Sequence, residues 1–151
     1  LNNWLGDVGT RLGSLSQRLS ASVGRVKLNT ALKTEVVAPG QVPQVDEEIV
    51  ETPWMQIDNV FYEARGQAWA LSHLLRAIEV DFADVLAKKN ATVSVRQIIR
   101  ELEASQEPVW SPMILNGSGF GVLANHSLVM ANYISRANAA VIDLRQLLNQ
   151  G

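Results

Sequence analysis

The sequence predicts an all-α fold, an elongated three- or four-helix bundle with long heptad-patterned helices. Three observations carry this. Two long runs place apolar residues at alternating spacings of three and four, the repeat of one helix face. Proline, glycine and acidic residues gather in short stretches between such runs. No segment shows the sustained alternation of a half-buried strand.

The 151 residues suffice for one domain with a substantial core. Hydrophobic residues make up 47% and charged residues 19%, the balance of a folded chain. A net charge of −2 argues against a nucleic-acid partner. The absence of cysteine removes disulfides, thiolate metal sites and thiol nucleophiles together. No run approaches the roughly 18 unbroken apolar residues of a bilayer span, and no signal-peptide pattern opens the chain.

Residues 1–34 read as an N-terminal amphipathic helix, with Leu5, Val8, Leu12, Leu15, Leu19, Ser22 and Val26 on one stripe. The helix is intrinsically weak, because Gly6, Gly9, Gly13 and Gly24 each cost about 1 kcal/mol relative to alanine. It therefore needs a partner surface. Close contact at Gly9 and Gly13 points to protein, in the same chain or a dimer mate, ahead of lipid. Arg11, Arg18 and Arg25 recur every seven residues and predict a basic column beside the stripe. Such a column is a solvated flank pairing with acids on a neighbouring helix, or a dock for an acidic partner or an anionic membrane.

Residues 35–52 form an acidic Pro/Gly linker, with Pro39-Gly40, Pro43 and Asp46-Glu47-Glu48, and are expected to pack poorly. Residues 53–151 are the helical bundle core. Thr52 is placed to cap its first helix, with Pro53 in the first helical position. Trp54, Ile57, Phe61, Ala64, Ala68, Leu71, Leu75, Ile78, Phe82 and Val85 keep the spacing without a miss. Running to about Lys89, this helix is expected to be on the order of 50 Å long. A short helix follows, with Ser94 and Gln97 as a capping box and Val95, Ile98, Ile99 and Leu102 on its apolar face. The last helix carries Phe120, Leu123, Ser127, Met130, Ile134, Ala137, Val141, Leu144 and Leu148. The second and last helices are expected to face each other at the centre of the bundle as a coiled-coil-like pair, with Leu71, Leu75 and Ile78 buried between them.

No catalytic residue, cofactor site or metal site emerges. Asn116, Gly117, Ser118, Gly119 and Gly121 open the last helix around Phe120, and backbone N–H groups there suit an anion. Their spacing matches neither dinucleotide-binding nor P-loop patterns, so a structural turn is the simpler reading. His126 beside Ser127 invites a hydrolase, but adjacent helical residues point about 100° apart. Neither His73 nor His126 has the Glu three residues earlier that di-iron bundles use. Trp54 lies on the seam and is expected in the core. Trp69 lies off the seam, where it meets the short helix or a second molecule, and Trp110 sits between prolines as a lid; both join the arginines as candidate interaction residues.

The stretch LNGSGFGVLANHSLVMANYISRANAAVIDL, residues 115–144, resembles the C-terminal part of a Gram-negative bacterial family, domain of unknown function 2333. WMQIDNVFYEARGQAWALSHLLRAIEVDF, residues 54–82, is similar to an earlier part of it. The resemblance implies a single-pass inner-membrane protein with its bulk in the periplasm, no assigned activity, and no catalytic residues to carry over. Because the sequence begins at Leu1 rather than Met, it is expected to be a processed product or fragment, with any membrane association through a segment preceding Leu1. A cytoplasmic location is the alternative. The expectation is a non-enzymatic structural or protein-interaction module of the cell envelope, engaging a protein partner or forming a homo-oligomer. The alternative is a small-ligand-binding or hydrolytic protein using the Gly117–Gly121 turn with His126 and Ser127.

Overall fold

Leucine or valine at every third or fourth position makes the opening residues a helix, and a glycine marks its end. In the computed structural model, which describes residues 1–28, 47–111, 113–116 and 124–150, helix α1 spans Asn2–Ser20 and buries Leu5, Val8, Leu12, Leu15 and Leu19. Ser22 extends the buried stripe within a 3-10 turn, Ala21–Val23. Gly24 then adopts a φ of 80°, costly for any residue with a Cβ. The helix expected to reach residue 34 therefore stops at Ser20.

Strand β1 (Arg25–Leu28) pairs antiparallel with β2 (Glu47–Val50), Arg25 opposite Val50 and Leu28 opposite Glu47. This small ribbon is appended to a helical body and corrects the expectation that no strand forms. Each strand has four residues and its partner is distant in sequence, so no local periodicity announces it. Residues 35–46 of the expected linker lie outside the described residues, and its next four residues are β2.

The second helix is shorter than expected at both ends. Trp54–Gln56 form a 3-10 turn, and α2 spans Ile57–Asp81. Trp54, expected in the core, is 73% exposed because it precedes the helix. The Thr52 hydroxyl donates to the Arg18 carbonyl at 3.5 Å rather than capping α2, and Pro53 precedes the 3-10 turn rather than opening an α-helix. Phe82 leaves helical geometry, and α3 follows as Ala83–Lys88. Phe82 and Val85 are exposed, whereas Leu86 is fully buried. The helix breaks at Phe82, so a three-and-four count carried across the break no longer marks the core.

Asn90 takes a left-handed conformation, φ 52°, that few residues tolerate, and leads into α4, Thr92–Ala104. This helix buries Val95, Ile98, Ile99 and Leu102 as their spacing predicts. It starts before Ser94 and has no side-chain cap, so the Ser94–Gln97 capping box is not made. Helix α5 spans His126–Asn149 and is capped by Asn125, whose side chain accepts from the Leu128 N–H at 2.8 Å. Ser127, Met130, Ile134, Ala137, Val141 and Leu144 are buried on one stripe, as predicted. Phe120 and Leu123 lie outside the described residues.

The four long helices alternate in direction. Along α1 and α5, Asn2 meets Asn149 while Ser16 meets the Ala131 carbonyl, so the two run antiparallel. Along α2 and α4, Arg76 meets Glu103 and Glu79 meets Arg96, with the same consequence. Around the bundle the order is α1, α2, α4, α5, closed by α5 against α1. Helix α5 packs most extensively on α1 and α4, and α2 on α4. Helices α2 and α5 touch across the short diagonal of the bundle, but each packs more extensively on another helix, so they are not the principal pair that was expected. Leu71 and Leu75 are buried as expected and Ile78 is half-buried, but periodicity specifies which face is buried, not which helix it meets.

The glycine-rich α1 docks within its own chain. A Cβ at Gly9 would stand 3.4 Å from Asn138 Oδ1, and one at Gly13 3.5 Å from Asn138 Nδ2.

Candidate functional site

Four helices enclosing one core leave function to the surface, and the described surface has two clefts of useful size. The upper cleft, about 510 Å³, lies where the α4–α5 connection crosses the top of the bundle. Phe61, Val109, Val129 and Met130 give it apolar walls, and Arg65, Ser105, His126 and Tyr133 supply polar groups. Two of those groups are already engaged. The Arg65 guanidinium donates to the carbonyls of Glu107 (3.0 Å) and Gln106 (2.6 Å), closing off the end of α4. The Ser105 hydroxyl donates to the Leu102 carbonyl at 2.6 Å.

His126 lines this cleft, but its neighbour Ser127 is 1% exposed, points into the core and takes no part in the cleft wall. The two side chains diverge as adjacent helical residues must. Gly117, Ser118, Gly119 and Gly121 lie outside the described residues. Asn116 holds the fold together at this end: its Nδ2 donates to the Ser22 carbonyl, and its backbone bridges to Asn125 at the entrance to α5. Ile114 is held nearby, its N–H donating to Asp58 Oδ1 at 3.1 Å. Trp110, expected as a lid, lines the mouth of this cleft but is 94% exposed.

The lower cleft, about 470 Å³, lies between α1 and α2. Val8, Leu12 and Leu71 are its buried floor, and Trp4, Leu74 and Ala70 are its partly exposed apolar flanks. Asp7, Arg11 and Gln67 form the polar rim. Above it, the Arg18 guanidinium makes a two-pronged contact with Glu63, at 2.8 and 2.6 Å. These hydrogen bonds hold the Glu63 carboxyl below its ordinary range and raise the Arg18 guanidinium in turn. The expected basic column of Arg11, Arg18 and Arg25 is not continuous: Arg11 and Arg18 lie on α1, but Arg25 belongs to β1. Heptad spacing yields a column only where the helix persists.

Trp69 is exposed and stands edge-on to His73, ring centroids 4.5 Å apart. Tyr62 and Val80 continue the same face of α2, and both are exposed. Sequence reasoning missed this face. Its signal is a second stripe, Tyr62, Trp69, His73 and Val80, at spacings of seven, four and seven beside the main seam. Among the described residues, no group of three or more histidine, aspartate or glutamate side chains is arranged to hold a metal.

The chain belongs to a family of uncharacterized proteins conserved in bacteria, domain of unknown function 2333, whose family model matches residues 1–151. No curated protein and no solved structure matches the chain.

Proposed function

We propose, proceeding from membership in this family, that the protein is a non-enzymatic structural or protein-interaction module of the bacterial cell envelope. The observation that carries the reading is the apolar outer face of α2. A helix that already buries Phe61, Ala64, Ala68, Leu71 and Leu75 in the core also exposes Tyr62, Trp69 and Val80 along one other face. Apolar side chains repeated along one rigid helix mark a docking surface more than a solvated one. In this reading the bundle sits on the periplasmic side of the inner membrane. No described helix is long and apolar enough to cross a membrane.

The test is a photo-crosslinking amino acid at position 69, in the full-length protein in bacterial cells, with position 146 on α5 as the control. A discrete protein adduct at 69 but not at 146, recovered with the envelope fraction, is the expected result. Equal labelling at both positions overturns the interaction face, and recovery only from the cytoplasm overturns the envelope assignment.

The alternative reading, a small-ligand-binding or hydrolytic protein, draws on the upper cleft that His126 lines. A compound that raises the melting temperature of the parent but not of His126→Ala would favour it.

A further inference from the structure

Polar contacts between helices lace parts of every seam of this bundle. Arg76–Glu103 and Arg96–Glu79 join α2 to α4. Arg136–Glu101 joins α4 to α5, and Asn2–Asn149 joins α1 to α5. Arg18–Glu63 joins the upper part of α1 to α2. Below that pair the α1–α2 seam opens into the lower cleft, where Asp7 and Arg11 face Gln67, Ala70 and Leu74. Neither charge has an ion-pair partner among the described residues, and both side chains are exposed.

We infer that this face is where a second copy of the chain docks, across a two-fold axis perpendicular to the helices. The reading rests on the interaction role proposed above and gives it a second face, roughly 100° round α2 from Trp69, with a named partner. The face is self-complementary. Asp7 and Arg11 lie one turn apart on one helix with opposite sign, so an antiparallel copy of α1 centred at position 9 sets each against its opposite on the other copy. Apolar shape is compatible with that axis. Counting down antiparallel from the Arg18–Glu63 pair, Arg11 is level with Ala70 and Asp7 with Leu74. The axis that exchanges Asp7 with Arg11 therefore sets Leu74, 53% exposed, against Ala70 of the second copy, a large side chain over a small one. Packing the two faces would cover Trp4 and Leu74 and close the cleft.

The experiment is sedimentation of the purified protein over a dilution series, with far-UV circular dichroism to confirm folding. The parent is expected to dimerise. Asp7→Lys and Arg11→Glu each set like charges together twice per dimer, and should raise the dimer dissociation constant on the order of tenfold or more. The double variant restores opposite charges and should return it to within about threefold of the parent. Ala70→Arg, at an exposed position, should abolish the dimer through the apolar contact. A parent that stays monomeric throughout overturns the proposal and leaves the face to another molecule. A dimer indifferent to all four variants also overturns it, by placing the interface elsewhere. A monomer that still crosslinks to a different protein at position 69 removes the dimer and leaves the interaction reading standing.

Discussion

Replacing Gly9 and Gly13 together by alanine is expected to stabilise the protein, although both glycines face the most extensive helix contact in the bundle. Each glycine in a helix interior costs about 1 kcal/mol relative to alanine. The opposing cost is what an added Cβ would meet. At Gly9 it would lie 3.4 Å from Asn138 Oδ1 and 3.7 Å from Val141 Cγ1, and at Gly13 3.5 Å from Asn138 Nδ2. These are ordinary contact distances, so the propensity gain survives. The pair should contribute about 1–2 kcal/mol, and a chain of this size gains about 2–4 °C in melting temperature per kcal/mol. Gly66→Ala supplies the reference, since nothing lies within 4 Å of a Cβ there and only helix propensity changes. Urea melts followed by circular dichroism measure all three proteins. If Gly66→Ala stabilises while Gly9→Ala/Gly13→Ala destabilises by more than about 1 kcal/mol, the glycines serve close helix approach and the reasoning is wrong.

Leu75→Ala should cost about 2–5 kcal/mol in the same melts, because its side chain is fully buried in the core; overlapping curves would contradict its placement. Glu63→Gln should cost less than about 1 kcal/mol, since Arg18 and Glu63 are 46% and 41% exposed. Glu63 titrates lower when folded than its ordinary 4.5, so its contribution is present above that value and is lost as pH falls through the lowered one. The gap between parent and Glu63→Gln should therefore shrink on acidification and in high salt, and a gap that widened on acidification would refute the sign. Arg65→Met should cost about 1–2 kcal/mol by withdrawing the donors to Gln106 and Glu107, read as a loss of urea midpoint with an unchanged slope.

What the sequence by itself determined is which residues are buried on each helix. Leu5 to Leu19 on α1, Val95 to Leu102 on α4 and Ser127 to Leu144 on α5 follow from spacing alone, because a helix repeats every 3.6 residues whatever surrounds it. The matching run on α2 was legible only from Ile57 to Leu75. Beyond it the heptad count lost the core, and Leu86 rather than Val85 is buried. Tertiary structure decided the rest, because the rest depends on which distant segments meet. The pairing of Arg25–Leu28 with Glu47–Val50 ends the first helical segment early, and neither strand betrays the other locally. Arg18 found Glu63 on α2 rather than the acidic stretch before it. Helix α5 settled between α1 and α4, because an apolar stripe carries no address for the helix that covers it. The lower cleft belongs to that same class: Asp7, Arg11, Ala70 and Leu74 are ordinary residues where they stand in the chain, and only the antiparallel register of α1 and α2 brings them onto one face.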